Sequence, residues 1–220
     1  MRNVFFVCIL GSLGVFLLSP AVAATNAITH AALHCDKIAS EIPGLPAATT
    51  GVARIELRYG SRIVRIAPGA DEPATGGSYD VRLYDQTNTT HLSFVDGLVL
   101  SCDGCPKQAW FVDLKHDGQP EVVVWVASGG VEKNGLLDLF EIIADEQGDA
   151  LQRVEPPEAA HSWLRGHRGH DAYRVEHGTL YWTFPVFRSD DSDEHPTGGE
   201  ITLKLIFERE RWMWRLHARK

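Results

Sequence analysis

Four groups of residues in this 220-residue chain have types and spacings that could do chemistry. The run Asp113-Leu114-Lys115-His116-Asp117-Gly118-Gln119-Pro120-Glu121 puts Asp113, Asp117, Gly118 and Glu121 where a calcium loop needs oxygen ligands and a turning glycine. Lys115 stands at a ligand position, and an ammonium there repels a cation. The competing reading is a turn held by aspartate carboxylates that accept backbone N–H bonds, closed by a salt bridge from Lys115. A second group, His161, His167 and His170 with Asp171, carries imidazoles and a carboxylate that suit zinc or copper. Its spacing matches no metal motif, and Arg165 and Arg168 are interleaved with it, so structural loop histidines are the simpler reading and no metal or cofactor is expected.

The third group is Cys102-Asp103-Gly104-Cys105. Asp-Gly is a tight-turn dipeptide that can bring its flanks within disulfide reach, so a Cys102–Cys105 pair is expected, with Cys35 as the competing partner or both thiols reduced. As a redox motif it is weak, because Pro106-Lys107 and a strand follow it rather than a helix N-terminus. The fourth group is the loop that starts at Ser128-Gly129-Gly130. It is no nucleophile elbow, since no G-x-S-x-G surrounds the serine and no helix follows. The carboxylates Asp190, Asp191, Asp193 and Glu194 sit in a polar loop where water keeps them ionised, unlike a glycosidase acid in an apolar cleft. No catalytic constellation emerges, which favours a binding protein over an enzyme.

Strands must position these groups. Ala53, Ile55, Leu57 and Tyr59 alternate with Arg54, Glu56 and Arg58, and Gly60-Ser61 turns the chain into Arg62–Ile66. Further strands are predicted at Tyr79–Leu83, His91–Phe94, Leu98–Cys102, Ala109–Val112, Val122–Val126, Leu136–Ile143, Ala172–Glu176, Thr179–Phe187, Ile201–Glu208 and Trp212–Leu216. Pro157–Arg168 breaks the alternation as a loop or single helical turn. Asn26–Glu41 is a short helix or extended arm ended by Pro43-Gly44-Leu45-Pro46. Many short strands between Gly, Pro and Asp turns predict an all-β protein, an antiparallel sandwich or open barrel with that N-terminal arm or short helix. The tryptophans are read mainly as core and strand-face packing.

Residues 1–23 have the form of a secretory signal: Arg2, the apolar stretch Val4–Leu18, then Ala21-Val22-Ala23. Cleavage leaves one β domain over 24–220, exported and not membrane-inserted, with three cysteines in an oxidising compartment. The formal charge of −8 becomes more negative on losing Arg2, which disfavours nucleic acid and favours a cationic partner.

Three segments together resemble the bacterial periplasmic inhibitors of invertebrate-type (I-type) lysozyme: F-V-D-L-K-H-D-G-Q-P-E-V-V-V-W-V-A-S-G-G from Phe111, R-G-H-D-A-Y from Arg168 to Tyr173, and F-P-V-F, Phe184–Phe187, followed by P-T-G-G, Pro196–Gly199. The resemblance implies an all-β sandwich that pushes a Ser-Gly loop into the active-site cleft of a lysozyme. Carried over by position, Ser128 and Gly129 begin that loop. The family's loop offers a tyrosine shortly after the serine, where this chain reads Gly130-Val131-Glu132-Lys133-Asn134-Gly135. Glu132 could instead meet cationic groups at a cleft. The expected partner surface is therefore Ser128, Gly129, Gly130, Val131 and Glu132, helped by Arg168, His170 and Asp171. Two other classes stay open: a metal-dependent envelope enzyme using His161, His167 and His170, and a structural or adhesion module with a decayed calcium turn.

Overall fold

The computed structural model describes residues 54–69, 77–88, 91–102, 104–128, 134–146 and 148–220. The expected signal segment, the N-terminal arm and Cys35 lie outside the described residues. Among the described residues there is no helix: twelve strands form three four-stranded antiparallel sheets. The first sheet takes the order β1 (Ile55–Tyr59), β2 (Arg62–Pro68), β3 (Gly77–Asn88), β4 (His91–Cys102). The second is β5 (Gly104–Val112), β6 (Glu121–Ser128), β7 (Gly135–Asp145), β8 (Gly148–Val154). The third runs β12 (Arg211–Arg219), β11 (Glu200–Glu208), β10 (Thr179–Pro185), β9 (Ala172–Glu176). Every pairing joins strands that follow one another in the chain, and none closes a sheet into a barrel.

The second sheet is the shared wall of two cores. Successive side chains of a strand point to opposite faces. On one face Ala109, Phe111, Val122, Val124, Val126, Phe140, Ile142 and Leu151 pack against Ile55, Leu57, Val64, Ile66, Tyr79, Val81 and Leu83 of the first sheet. On the other, Trp110, Val112, Val123, Leu137 and Leu139 pack against Tyr173, Leu180, Phe184, Ile201, Leu203, Leu205 and Trp214 of the third. Burial on both faces explains why Val122–Val126 is a continuous apolar run rather than an alternating one. Each such side chain contributes about 1.5–3 kcal/mol as an upper estimate. The expected sandwich is thus doubled into three layers. All six tryptophans of the chain belong to or pack on the second core, which agrees with the packing role expected for most of them.

Two expectations change. His91–Phe94 and Leu98–Cys102 form one strand, β4, whose pairing with β3 shifts register beside Tyr84. The tight turn and disulfide expected at Cys102-Asp103-Gly104-Cys105 give way to flanks that belong to different sheets. Cys102 pairs with Gly77 in the first sheet, whereas Gly104 pairs with Ser128 in the second. The two cysteines therefore stand on strands of different sheets, and they are not joined as a disulfide. Cys102 Sγ donates instead to the carbonyl of Gly104 at 2.9 Å.

Candidate functional site

Strand β6 carries a connection at each end, and both were singled out by sequence. At its start the acidic turn is built by its own residues. Asp113 accepts from the N–H groups of Asp117 and Gly118 at 3.1 and 3.0 Å, and Asp117 Oδ1 accepts from Gln119 N–H at 2.8 Å. His116 and Gly118 take left-handed φ values of 60° and 83°. The Lys115 ammonium sits 3.1 Å from Glu141, 3.4 Å from Glu121 and 3.8 Å from Asp117. This is the Asp-held, Lys-closed turn, with the ammonium among the carboxylates that a calcium ion would otherwise engage. Burial raises the Glu121 carboxyl above its usual range, against the N–H of Leu114 and the charge of Lys115. The ammonium of Lys115 is raised as well, because Glu141 and Glu121 outweigh the burial that alone would lower it.

At the other end of β6 lies the 128–135 connection to β7. Residues 129–133, including Gly129, Gly130, Val131 and Glu132, lie outside the described residues. Its neck is defined: Ser128 N–H donates to Asn134 O at 2.9 Å, and Ala127 stands opposite Gly135. Gly135 is at the tip of β7, beyond the reach of β8, which pairs only from Leu139 onward. Its outward N–H and C=O therefore need other partners. Asp171 and Tyr173 of the third sheet supply them. Gly135 N–H donates to Asp171 Oδ2 at 2.8 Å, and the Tyr173 hydroxyl donates to Gly135 O at 3.3 Å.

Asp171 is held from behind. Its Oδ1 accepts from the Trp182 indole at 2.6 Å and bonds His167 Nε2 at 2.7 Å. Tyr173 stacks on Trp182 with centroids 5.9 Å apart and planes 18° apart, and meets Trp125 edge-on. Its phenol is pushed well above the ordinary tyrosine range by burial and then by the Asp171 charge, so it stays a donor. A Cβ at position 135 would come within 2.8 Å of Asp171 Cβ and 2.9 Å of Trp125 Nε1, so only glycine fits this cradle.

The expected contact residues thus divide. The Asp171 side chain is 2% exposed, so it grips the neck of the loop from inside and is not free to meet a partner. His167, which was grouped with potential metal ligands, packs edge-on against Trp182 and Phe184 as well as bonding Asp171. His170 lies against Phe187, and the exposed Arg168 stacks over the same ring while donating to the carbonyls of Arg188 and Asp191. Those contacts lead away to 187–193, and the structure does not bring Arg168 or His170 onto the neck. Trp182 and Tyr173 were missed as parts of this site. Their aromatic character signalled packing, and nothing local marked their polar ends as partners of Asp171 or Gly135. Leu136 was missed too, an apolar residue 49% exposed beside the neck.

Comparison with known proteins bears on this half of the molecule. Residues 50–162 match the family described as periplasmic lysozyme inhibitor of I-type lysozyme. The crystal structure of such an inhibitor from Aeromonas hydrophila is 34% identical over 49% of this chain and 94% of its own, with a TM-score of 0.41. The Aeromonas hydrophila inhibitor in complex with Meretrix lusoria lysozyme is 36% identical over 43% of this chain and 74% of its own, with a TM-score of 0.38. No curated protein matches the chain. The match takes in the first two sheets, the acidic turn and the whole 128–135 loop. Arg168–Tyr173, Phe184–Phe187 and Pro196–Gly199, which also resembled the family, lie outside it.

Proposed function

We propose a function from one premise: the chain belongs to the family of periplasmic lysozyme inhibitors of I-type lysozyme. It is an inhibitory binding protein of the periplasm, and its partner is a lysozyme. Removal of residues 1–23 delivers the mature chain, 24–220, as a single β domain. The loop from Ser128 to Asn134 enters the lysozyme cleft, with Ser128 and Gly129 leading and Glu132 meeting cationic groups where the family offers a tyrosine. The observation that carries this reading is the position of the loop: it falls within the matched stretch and springs from a strand buried on both faces, so its base is anchored. An anchored base reduces the conformational entropy lost on binding, which favours affinity. The net negative charge speeds encounter with a cationic partner.

The test is lysis of bacterial walls by invertebrate-, chicken- and goose-type lysozymes, each titrated with protein spanning Ala24 to Lys220. Inhibition of the invertebrate-type enzyme, abolished when residues 128–133 are replaced by a neutral linker, is the expected result. Failure to inhibit any class would sink the proposal. Full inhibition by a Ser128→Ala, Glu132→Gln double variant would remove those two residues from the mechanism.

A further inference from the structure

The neck of the 128–135 loop is closed by residues from a part of the chain outside the family match. Gly135 has its N–H on Asp171 and its C=O on Tyr173, both from the third sheet, 36 and 38 residues away. Among the described residues, β6 pairs with one edge of this tip of β7, and no strand pairs with its outer edge. The segment that delivers Asp171 is itself under constraint. Gly169 and His170 take consecutive left-handed φ values of 84° and 60°, a conformation that costs a non-glycine residue about 1 kcal/mol or more. That kink turns the Asp171 carboxylate inward, where Trp182 and His167 hold one oxygen and leave the other for Gly135. The side chain is 2% exposed, and a carboxylate is retained at such a place only when its bonds are complete.

We propose that Asp171 is the positioning residue of the inhibitory loop, and that the third sheet acts as a clamp that fixes the angle at which the loop leaves β6 and β7. This rests on the loop reading above. Asp171 touches no lysozyme; it acts through Gly135. With the clamp made, the neck holds one geometry. With the clamp broken, both strands stay in their sheet, because Val123, Leu137 and Leu139 keep their places in the second core, but the neck at Gly135 loses its fixed geometry.

The test uses protein spanning Ala24 to Lys220 and two variants, Asp171→Asn and Tyr173→Phe. Asparagine keeps the size but turns one acceptor into a donor facing an N–H or the histidine. Phenylalanine keeps the stack on Trp182 and loses only the hydroxyl bond to Gly135. Two readouts run in parallel: the inhibition constant against invertebrate-type lysozyme, and amide hydrogen exchange at Gly135 against Val123 as a core reference. Asp171→Asn is expected to weaken inhibition and accelerate Gly135 exchange about tenfold or more, the loss of roughly one hydrogen bond, with Val123 unchanged and Tyr173→Phe intermediate. Wild-type inhibition and exchange in Asp171→Asn would overturn the proposal. So would acceleration at Val123 equal to that at Gly135, which would mean a general loosening. If the unmodified protein inhibits no lysozyme, the function fails, and exchange at Gly135 alone decides whether the clamp exists.

Discussion

The two ends of strand β6 solve the same problem in opposite ways. At its start, the turn from Asp113 to Glu121 satisfies its backbone with its own aspartates, and Lys115 supplies a counter-charge to Glu121 and Asp117. At its end, the neck at Gly135 borrows its partners from residues more than thirty positions away. A self-built turn is a structural hinge pin, robust to change elsewhere. A borrowed neck makes the loop dependent on a second region, so the stability of that region becomes part of the loop's behaviour.

The comparison can be broken first at Lys115. Lys115→Met leaves Glu121, whose side chain is 1% exposed, without its counter-charge. We expect a loss of about 2–3 kcal/mol, a fall in melting midpoint of about 4–12 °C, read by thermal denaturation. Inhibition at temperatures where the chain is folded should be untouched, because the damage lies at the wrong end of β6. Gly135→Ala forces a methyl against Asp171 and Trp125 and should cost about 1–3 kcal/mol while weakening inhibition along with it. An alanine variant that inhibits fully would show that the cradle tolerates more than its geometry suggests. Asp113→Ala removes two bonds from an exposed turn and should cost about 1 kcal/mol, with faster exchange confined to Asp117 and Gly118. Millimolar calcium should leave the melting midpoint of the unmodified protein in place, since the Lys115 ammonium already sits among the carboxylates; a clear rise would mean that the ion displaces the ammonium.

The smallest effect is a pH dependence at Glu121. Its folded pKa lies above the usual 4.5, so the group favours the folded state below that value and loses the advantage as pH rises through the raised one. Melts between about pH 4 and about pH 7 should therefore show the unmodified protein losing ground to Glu121→Gln as pH increases. A gap that stays flat, or widens the other way, would assign the pairing with Lys115 more weight than burial.

The same contrast explains what could be read in the sequence. The Asp-held turn was legible because each donor lies within five positions of its acceptor. The Gly60-Ser61 hairpin and the buried run Val122–Val126 were legible for similar local reasons. Strand β8 was not, because in G-D-A-L-Q-R-V only Leu151 is fully buried and no alternation shows. Cys102-Asp103-Gly104-Cys105 misled because Asp-Gly brings its flanking cysteines within disulfide reach only when the chain turns back on itself, whereas here the flanks enter two sheets. Asp171 stood out in a histidine-rich loop, yet its side chain turns inward, a direction that depends on the left-handed backbone at Gly169 and His170 rather than on the composition around it. The family resemblance was sound, although two of its three segments fall outside the matched residues.

The wall shared by two cores also bears on how the chain folds as it emerges. Domains tend to fold as the chain emerges, amino-terminal parts first. Once residues up to Val154 are available, the first two sheets can close on their common core, but Trp110, Val112, Val123, Leu137 and Leu139 then face water until the third sheet arrives. A chain stopped at that point would carry an apolar surface of the kind that attracts chaperones or other incomplete chains. The last strands to be made are therefore the ones that end this exposure, and in doing so they deliver Asp171 to its place.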